Sequence, residues 1–231
     1  MQLHFATVDD CTQATGVVVV IDVIRAFTTA AVALAAGVRE IMPVSGVDEA
    51  LGLRARWPEA LVMGEVGGLP PAGFDFGNSP SALLGRDLGG RRLIQRTGAG
   101  TQGLVRCRQA EALFAASFVC AAATARAVRA LRPETVTLLP TDHTQDEDAA
   151  CAEYLAAGLR GAWPDPAPYQ ARVHAAGLRR VQPGPADQGW PEWAVRQFLA
   201  DLDLCEAVDR YDFAMRVERR ADGLLLTARP A

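Results

Sequence analysis

Five short polar clusters, each following an apolar run or lying in a small-residue turn, hold the side chains of this 231-residue sequence that could do chemistry. The first is Asp22 and Arg25, which close the run Val17-Val18-Val19-Val20-Ile21 and precede Thr28 and Thr29. A carboxylate in that place can hold a hard cation such as magnesium, and a guanidinium suits a two-pronged grip on a phosphate or sulfonate. The second is Glu65 in Gly64-Glu65-Val66-Gly67-Gly68, where glycines let a backbone approach a ligand closely. The third, Gly73-Phe74-Asp75-Phe76-Gly77-Asn78-Ser79-Pro80, offers Asn78 and Ser79 as caps of a helix beginning near Pro80, with free N–H groups that attract an anion. The fourth, Arg96-Thr97-Gly98-Ala99-Gly100-Thr101, reads as strand end, turn and helix start, a phosphate cradle of main-chain N–H groups and two hydroxyls. The fifth, Thr141-Asp142-His143-Thr144-Gln145-Asp146-Glu147-Asp148, crowds acids at a helix N-terminus, where the helix dipole favours them. Asp142, Glu147 and Asp148 are candidate metal ligands or acid–base groups, whereas His4 and His174 have no supporting motif. Each cluster has a plainer reading too: Asp22 as a helix cap, Glu65 as an incidental turn acid, Asp146 and Glu147 as capping groups.

The elements that must position these clusters follow from periodicity. A short run of β-branched residues as pure as Val17–Ile21 is a strand buried on both faces, which implies helices above and below a largely parallel sheet. Ligands of such sheets bind beyond the carboxyl ends of the strands, where all five clusters fall. Strands are predicted at Gly16–Asp22, Arg39–Val44, Leu61–Glu65, Arg92–Arg96, Ala112–Ala116 and Thr135–Pro140, and helices at Thr28–Ala36, Val47–Ala55, Gly100–Arg106, Ala121–Leu131 and Glu147–Ala157. Between Trp163 and Trp193 six prolines, Pro183 and Pro185 among them, break up the chain around a short helix, Ala171–Leu178. A helix at Trp193–Leu202 and two β segments, Phe213–Arg219 and Leu224–Ala228, complete it. Asp222-Gly223 between those segments signals a hairpin that closes a mixed sheet. The expected organisation is one domain over residues 1–231, with lobes dividing near residue 160.

Bulk composition narrows the function. A net charge of −4 and a pI near 5.4 argue against nucleic-acid binding, which needs a clustered basic surface. Every basic side chain is Arg, so mechanisms built on a Schiff-base or P-loop lysine are excluded. The five cysteines are scattered and odd in number, the pattern of reduced thiols. With no signal segment and no long apolar run, the expectation is a cytoplasmic protein with no membrane partner. The Ala-rich apolar helices are compatible with a homodimer.

Taken in order, VVVVIDVIRAFTTAAVALAAGV, GEVGG, GFDFGNSP, RTGAGT and the acidic helix start resemble the 2-phosphosulfolactate phosphatase family, the ComB-like proteins, over about residues 16–158. The resemblance implies a three-layer α/β/α fold with a mixed, mostly parallel sheet. It also implies a magnesium-dependent phosphohydrolase that releases phosphate from 2-phosphosulfolactate, or a similar phosphorylated 2-hydroxy acid, on the route to coenzyme M. Carried over position by position, it makes Asp22, Arg25 and Glu147 catalytic, Asp22 and Glu65 magnesium ligands, and Thr28, Asn78, Ser79, Thr97, Gly100 and Thr101 substrate-binding. In this scheme Arg25 and the Gly98–Thr101 turn hold phosphate oxygens while Glu147 or Asp142 orients the attacking water. The chain departs from the usual pattern at Val66, Ala99 and Thr141, which leaves a second reading, a ComB-like protein that binds an anionic metabolite without turnover. A haloacid-dehalogenase mechanism does not fit, because Ile24 stands where its second Asp belongs and no lysine exists.

Overall fold

The run Val17–Ile21 forms a fully buried strand, β2, hydrogen-bonded in parallel to β6 (Ala112–Ala116) on one side and β7 (Thr135–Pro140) on the other. A computed structural model describes residues 1–142, 144–182 and 189–230; His143, Pro183 and Pro185 therefore lie outside the described residues. Around β2 the described residues form a mixed sheet of nine strands with helices on both faces, an α/β architecture in three layers. Strand β1 (Gln2–Phe5) is an edge strand on β7 that the sequence pattern does not announce, being four residues long and mostly exposed. Strands β3 (Glu40–Val44), β5 (Arg92–Arg96) and β4 (Leu61–Gly64) make a second parallel set.

The two sets are joined by a C-terminal hairpin, β8 (Phe213–Arg220) and β9 (Gly223–Pro230), whose two-residue turn is Ala221-Asp222. The hairpin forms where Asp222-Gly223 predicts it, but it does not close the sheet. It inserts in the middle, β8 antiparallel to β6 and β9 antiparallel to β3 around Ile41↔Leu226. Three antiparallel steps make the β3–β5–β4 set run opposite to the β1–β7–β2–β6 set, so in a flat sheet their carboxyl ends would lie on opposite edges. A twist of about 20–25° per strand, summed over the five pairings from β2 to β5, amounts to roughly 100–125° and turns those ends toward one another.

The concave space so formed holds α1 (Ala26–Ala35), in which the nine residues from Ala26 to Leu34 are all buried. An apolar face all round is the mark of a helix enclosed by its neighbours. Its Phe27 and Leu34 share one core with Val18, Val20 and Ala115 of one set and Ile41, Met63 and Leu93 of the other. The two polar residues within it are satisfied locally: Thr28 Oγ1 donates to the Val23 carbonyl at 2.8 Å and Thr29 Oγ1 to the Arg25 carbonyl at 2.9 Å. α3 (Gly100–Arg106) shares this core through Leu104, while α2 (Val47–Arg56) covers the opposite face of β3–β5.

The outer face of the β2 set is covered by α4 (Ala121–Ala130), α5 (Glu147–Leu159), α6 (Ala167–Val181) and α7 (Glu192–Glu206). The proline-rich stretch is more helical than expected, α6 spanning fifteen residues instead of Ala171–Leu178. Pro168 lies in its first turn, where a missing N–H costs nothing, and Pro191 immediately precedes α7, so these prolines start helices instead of breaking them. No helix among the described residues is long and apolar enough to cross a membrane.

If α1 is the enclosed pillar, truncating its largest side chain leaves a cavity that neither sheet set can fill. Phe27→Ala is expected to lower stability by about 3–5 kcal/mol, read as a reduced urea midpoint with an unchanged slope.

Candidate functional site

The carboxyl ends of β2, β4 and β5 meet in a cavity of about 360 Å³ lined by Asp22, Arg25, Glu65, Asn78, Thr97 and Arg180, with Trp190 and Phe198 as apolar walls. Gly64 makes the meeting of β4 and β5 possible: its φ is +141°, and a Cβ there would lie 1.8 Å from the Arg96 carbonyl oxygen. The chain therefore turns across the end of β5 and carries Glu65 over the next loop. Glu65 Oε2 accepts the Gly68 N–H at 2.8 Å and Oε1 the Gly98 N–H at 2.5 Å, so one carboxylate clasps two loops. Gly100 brings β5 to β2, since a Cβ on it would lie 2.7 Å from both Asp22 Oδ2 and Ala26 Cβ.

Asp22 anchors a helix start, as one of its two readings expects. Its Oδ1 accepts the Ala26 N–H at 2.8 Å and so anchors the start of α1, while Oδ2 has no hydrogen-bond partner among the described residues. Burial pushes its carboxyl up to about 6, with Glu65 and Glu147 adding to the rise against the Ala26 N–H and Arg180. Behind it lies Asp148, which accepts the N–H groups of Val23 (2.8 Å), Thr141 (3.2 Å) and Asp142 (3.0 Å) and the Thr141 hydroxyl (3.1 Å). Burial, then the charges of Asp22 and Glu147, hold Asp148 well above the usual carboxylate range.

Arg25 sits in the pocket wall with its guanidinium already engaged. Its Nη1 pairs with Asp201 Oδ2 at 2.7 Å, both groups buried, and its plane lies over Phe198 and Trp190 at 4.9 and 5.9 Å. Asp201 Oδ1 in turn accepts Ser79 Oγ at 2.7 Å, the Ser81 N–H at 2.9 Å and Ser81 Oγ at 2.5 Å. Ser79 therefore ties the loop to α7 and caps nothing: the helix expected near Pro80 is a three-residue 3-10 turn, Ser81–Leu83, without a side-chain cap. Asn78 lines the pocket with its Oδ1 buried and unpartnered among the described residues.

The expected phosphate cradle is knit to itself. The Thr97 N–H donates to Thr101 Oγ1 at 2.9 Å, the Thr101 N–H to Thr97 Oγ1 at 3.1 Å, and Thr101 Oγ1 to the Thr97 carbonyl at 3.0 Å. Of the positions singled out from the sequence, Asp22, Arg25, Glu65, Asn78 and Thr97 line the cavity, while Gly100 packs against Asp22. Thr28, Ser79 and Thr101 are buried beside it in structural bonds. Glu147 stands one residue removed, its Oε1 paired with Arg180 Nη2 and its buried Oε2 without a partner among the described residues. Asp148 of the acid cluster stands beside the site, and the structure adds residues that no motif marked: Arg180 on α6, Asp201 on α7, and Trp190, whose Nε1–H donates to the Gly67 carbonyl at 2.9 Å.

The pocket and its rim hold Asp22, Glu65, Glu147, Asp148 and Asp201 against the two guanidiniums Arg25 and Arg180. Among the described residues, no three His, Cys, Asp or Glu side chains converge as a ready-made metal cage. Magnesium rarely asks for one, being held through one or two carboxylates with phosphate oxygens and waters filling the rest. The free oxygens Asp22 Oδ2 and Glu147 Oε2 are hard donors of that kind, so the residues present fit such an ion. Glu65, with both oxygens engaged by amides, suits contact through water.

Comparison with known proteins places the chain among sequence relatives. The sequence model of a family described as 2-phosphosulpholactate phosphatase matches residues 5–219. The chain is 36% identical over 145 residues to a Bacillus subtilis (strain 168) protein named probable 2-phosphosulfolactate phosphatase, covering 62% of this chain and 64% of that one. Proteins of the same name from Carboxydothermus hydrogenoformans and Thermosynechococcus vestitus are 42% and 38% identical over 141 and 142 residues, covering 60% and 59% of this chain and 58% of each relative. The matched stretch thus spans about three-fifths of the length of these curated relatives.

The raised carboxyl of Asp22 has a stability consequence whose sign is fixed. The folded state holds this proton more tightly than the unfolded one, whose carboxyl has the ordinary value of 3.8, so ionised Asp22 costs stability above about pH 6 and nothing below 3.8. Asp22→Asn is therefore expected to stabilise the protein by about 1–3 kcal/mol above roughly pH 7, with the gain vanishing below about pH 4, as measured by denaturant unfolding at several pH values.

Proposed function

The chain belongs to the 2-phosphosulpholactate phosphatase family, and on that premise we propose that it hydrolyses a phosphate monoester of a small acid, 2-phosphosulfolactate being the first candidate, in the cavity around Asp22. The observation that carries this reading is a buried Asp22 whose Oδ2 has no partner among the described residues, in a crevice whose lining and rim together hold five carboxylates, Asp22, Glu65, Glu147, Asp148 and Asp201, against two guanidiniums. Such a site repels an anionic ester unless a divalent cation is bound with it. Magnesium, held by Asp22 with Glu65 through water, would supply charge neutralisation at the phosphate oxygens.

The remaining roles fall to the chain itself. Asp22 stays aimed at the crevice because its other oxygen is fixed by the Ala26 N–H. Glu65 keeps the Gly68 and Gly98 loops at the distance that forms the cavity. Water attacks phosphorus in line with the ester oxygen and gives up a proton to a carboxylate, the bond from phosphorus to the ester oxygen breaks, and the leaving alkoxide takes a proton from solvent water. Of the two carboxylates considered for orienting that water, Asp142 is spent: its Oδ1 accepts the Thr144 N–H and hydroxyl, and its Oδ2 accepts Arg180. Glu147 Oε2, without a partner among the described residues, is the remaining carboxylate oxygen to take the water's proton, and it lies buried beside the cavity and not in its lining. Asn78 Oδ1 offers a further acceptor for a hydroxyl or water. Trp190 and Phe198 exclude bulk water from one side, which strengthens every electrostatic contact inside. By the same reading the partner is a small phosphorylated acid and the pathway that of coenzyme M.

Phosphate release from racemic 2-phosphosulfolactate and a panel of phosphorylated 2-hydroxy acids, with magnesium and with chelator, tests the reading. Magnesium-dependent release is expected, falling by at least about a hundredfold in Asp22→Asn. No release from any of these esters would count against hydrolysis and in favour of a protein that binds an anion without turnover.

A further inference from the structure

We propose that Arg180, on α6, is the residue that grips the phosphate in this pocket, and that Glu147 and Asp142 act as positioning residues that hold its guanidinium at the wall. The inference rests on reading the pocket as a phosphate-ester site. Within that reading it assigns to a residue of the C-terminal helices the part that the strand-end motif suggests for Arg25.

The two guanidiniums of the cavity differ in what they have left to give. Arg25 is balanced one-to-one by Asp201 at 2.7 Å, and Asp201 also holds Ser79 and Ser81. A phosphate drawn to Arg25 would compete with Asp201 for that guanidinium's charge, and a weakened Arg25–Asp201 pair would loosen the Ser79–Ser81 loop that Asp201 holds. Arg180 donates through Nη2 alone, to Asp142 Oδ2 at 2.9 Å and to Glu147 Oε1, and its Nε–H is buried with no acceptor among the described residues. A buried donor without an acceptor is costly, and an arriving oxyanion relieves that cost. Nε–H lies on the same planar fork as the Nη groups, the arrangement that meets two oxygens of one phosphate.

The carboxylates around Arg180 explain why it stays charged and in place. Burial opposes its charge, but Glu147 and Asp142 outweigh burial and hold its pKa above the ordinary value. Because they occupy Nη2 and leave Nε, they orient the guanidinium without using up its donors. Arg180 sits in the last turn of α6, where the helix dipole also favours a cation.

Calorimetric titration of the magnesium-loaded protein with inorganic phosphate tests the assignment apart from turnover. Wild type is expected to bind phosphate, and Arg180→Gln to bind it roughly ten- to hundredfold more weakly, the loss of one charge-assisted bond. Since Arg180→Gln strands buried Glu147 and can weaken the fold, the wild type supplies a second readout. The Arg180 Nε–H resonance, identified by its absence in Arg180→Lys, is expected to move downfield as phosphate is added. Undiminished phosphate affinity in folded Arg180→Gln, or an Nε–H resonance that stays still while phosphate binds, overturns the role of Arg180 alone. Wild-type protein that binds no phosphate overturns the phosphate-site reading and this assignment together.

Discussion

The β8–β9 hairpin, hydrogen-bonded to β6 on one side and to β3 on the other, is the contact on which the rest of the molecule depends. Without it β6 and β3 would be open edges, and two small parallel sheets of opposite direction would have no fixed relation. With it, twist accumulated across the joined sheet brings the carboxyl ends of β2, β4 and β5 to one crevice and wraps both halves around α1. The last residues of the chain thus complete a core begun by the first fifty, as Met215, Val217, Leu224 and Leu226 packed beside Phe27 and Val20 show.

The same reliance on the C-terminal third recurs at the site. The strand ends bring acids: Asp22, Glu65 and, from the start of α5, Glu147 and Asp148. Their compensation comes from far along the chain, Arg180 on α6 for Glu147 and Asp142, and Asp201 on α7 for Arg25. Asp22 keeps one oxygen without a hydrogen-bond partner among the described residues, and burial raises its carboxyl pKa at a cost in stability. Thr97 and Thr101 show the opposite balance, their hydroxyls spent on shaping the turn and not offered outward.

Much of this was legible in the sequence, and the pattern of what was not is physical. Four consecutive valines before Asp22 specify a strand buried on both faces, and Asp222-Gly223 specifies a hairpin, because both signals are local. Where the hairpin inserts depends on pairing partners about a hundred and about 180 residues away, Leu113↔Val217 and Ile41↔Leu226, and no short window contains that. Asp22, Glu65, Asn78 and Thr97 were recognisable because strand ends and glycine turns mark ligand crevices. Arg180 and Asp201 lie within helices, where an Arg or an Asp looks like any solvated residue until the packing of α6 and α7 is known. The prolines between Pro164 and Pro191 misled for a related reason: a proline that ends a helix and one that begins it are the same letter.

The proposed function requires the crevice at Asp22 to take a divalent cation and a phosphate together. Crystals soaked in manganese and inorganic phosphate, with the manganese located by its anomalous scattering, put this to the test. Manganese is expected on Asp22 Oδ2, with phosphate bound between it and the guanidinium of Arg180. Manganese and phosphate found together at another place on the protein, or phosphate alone in the crevice with Asp22 turned away, would contradict it.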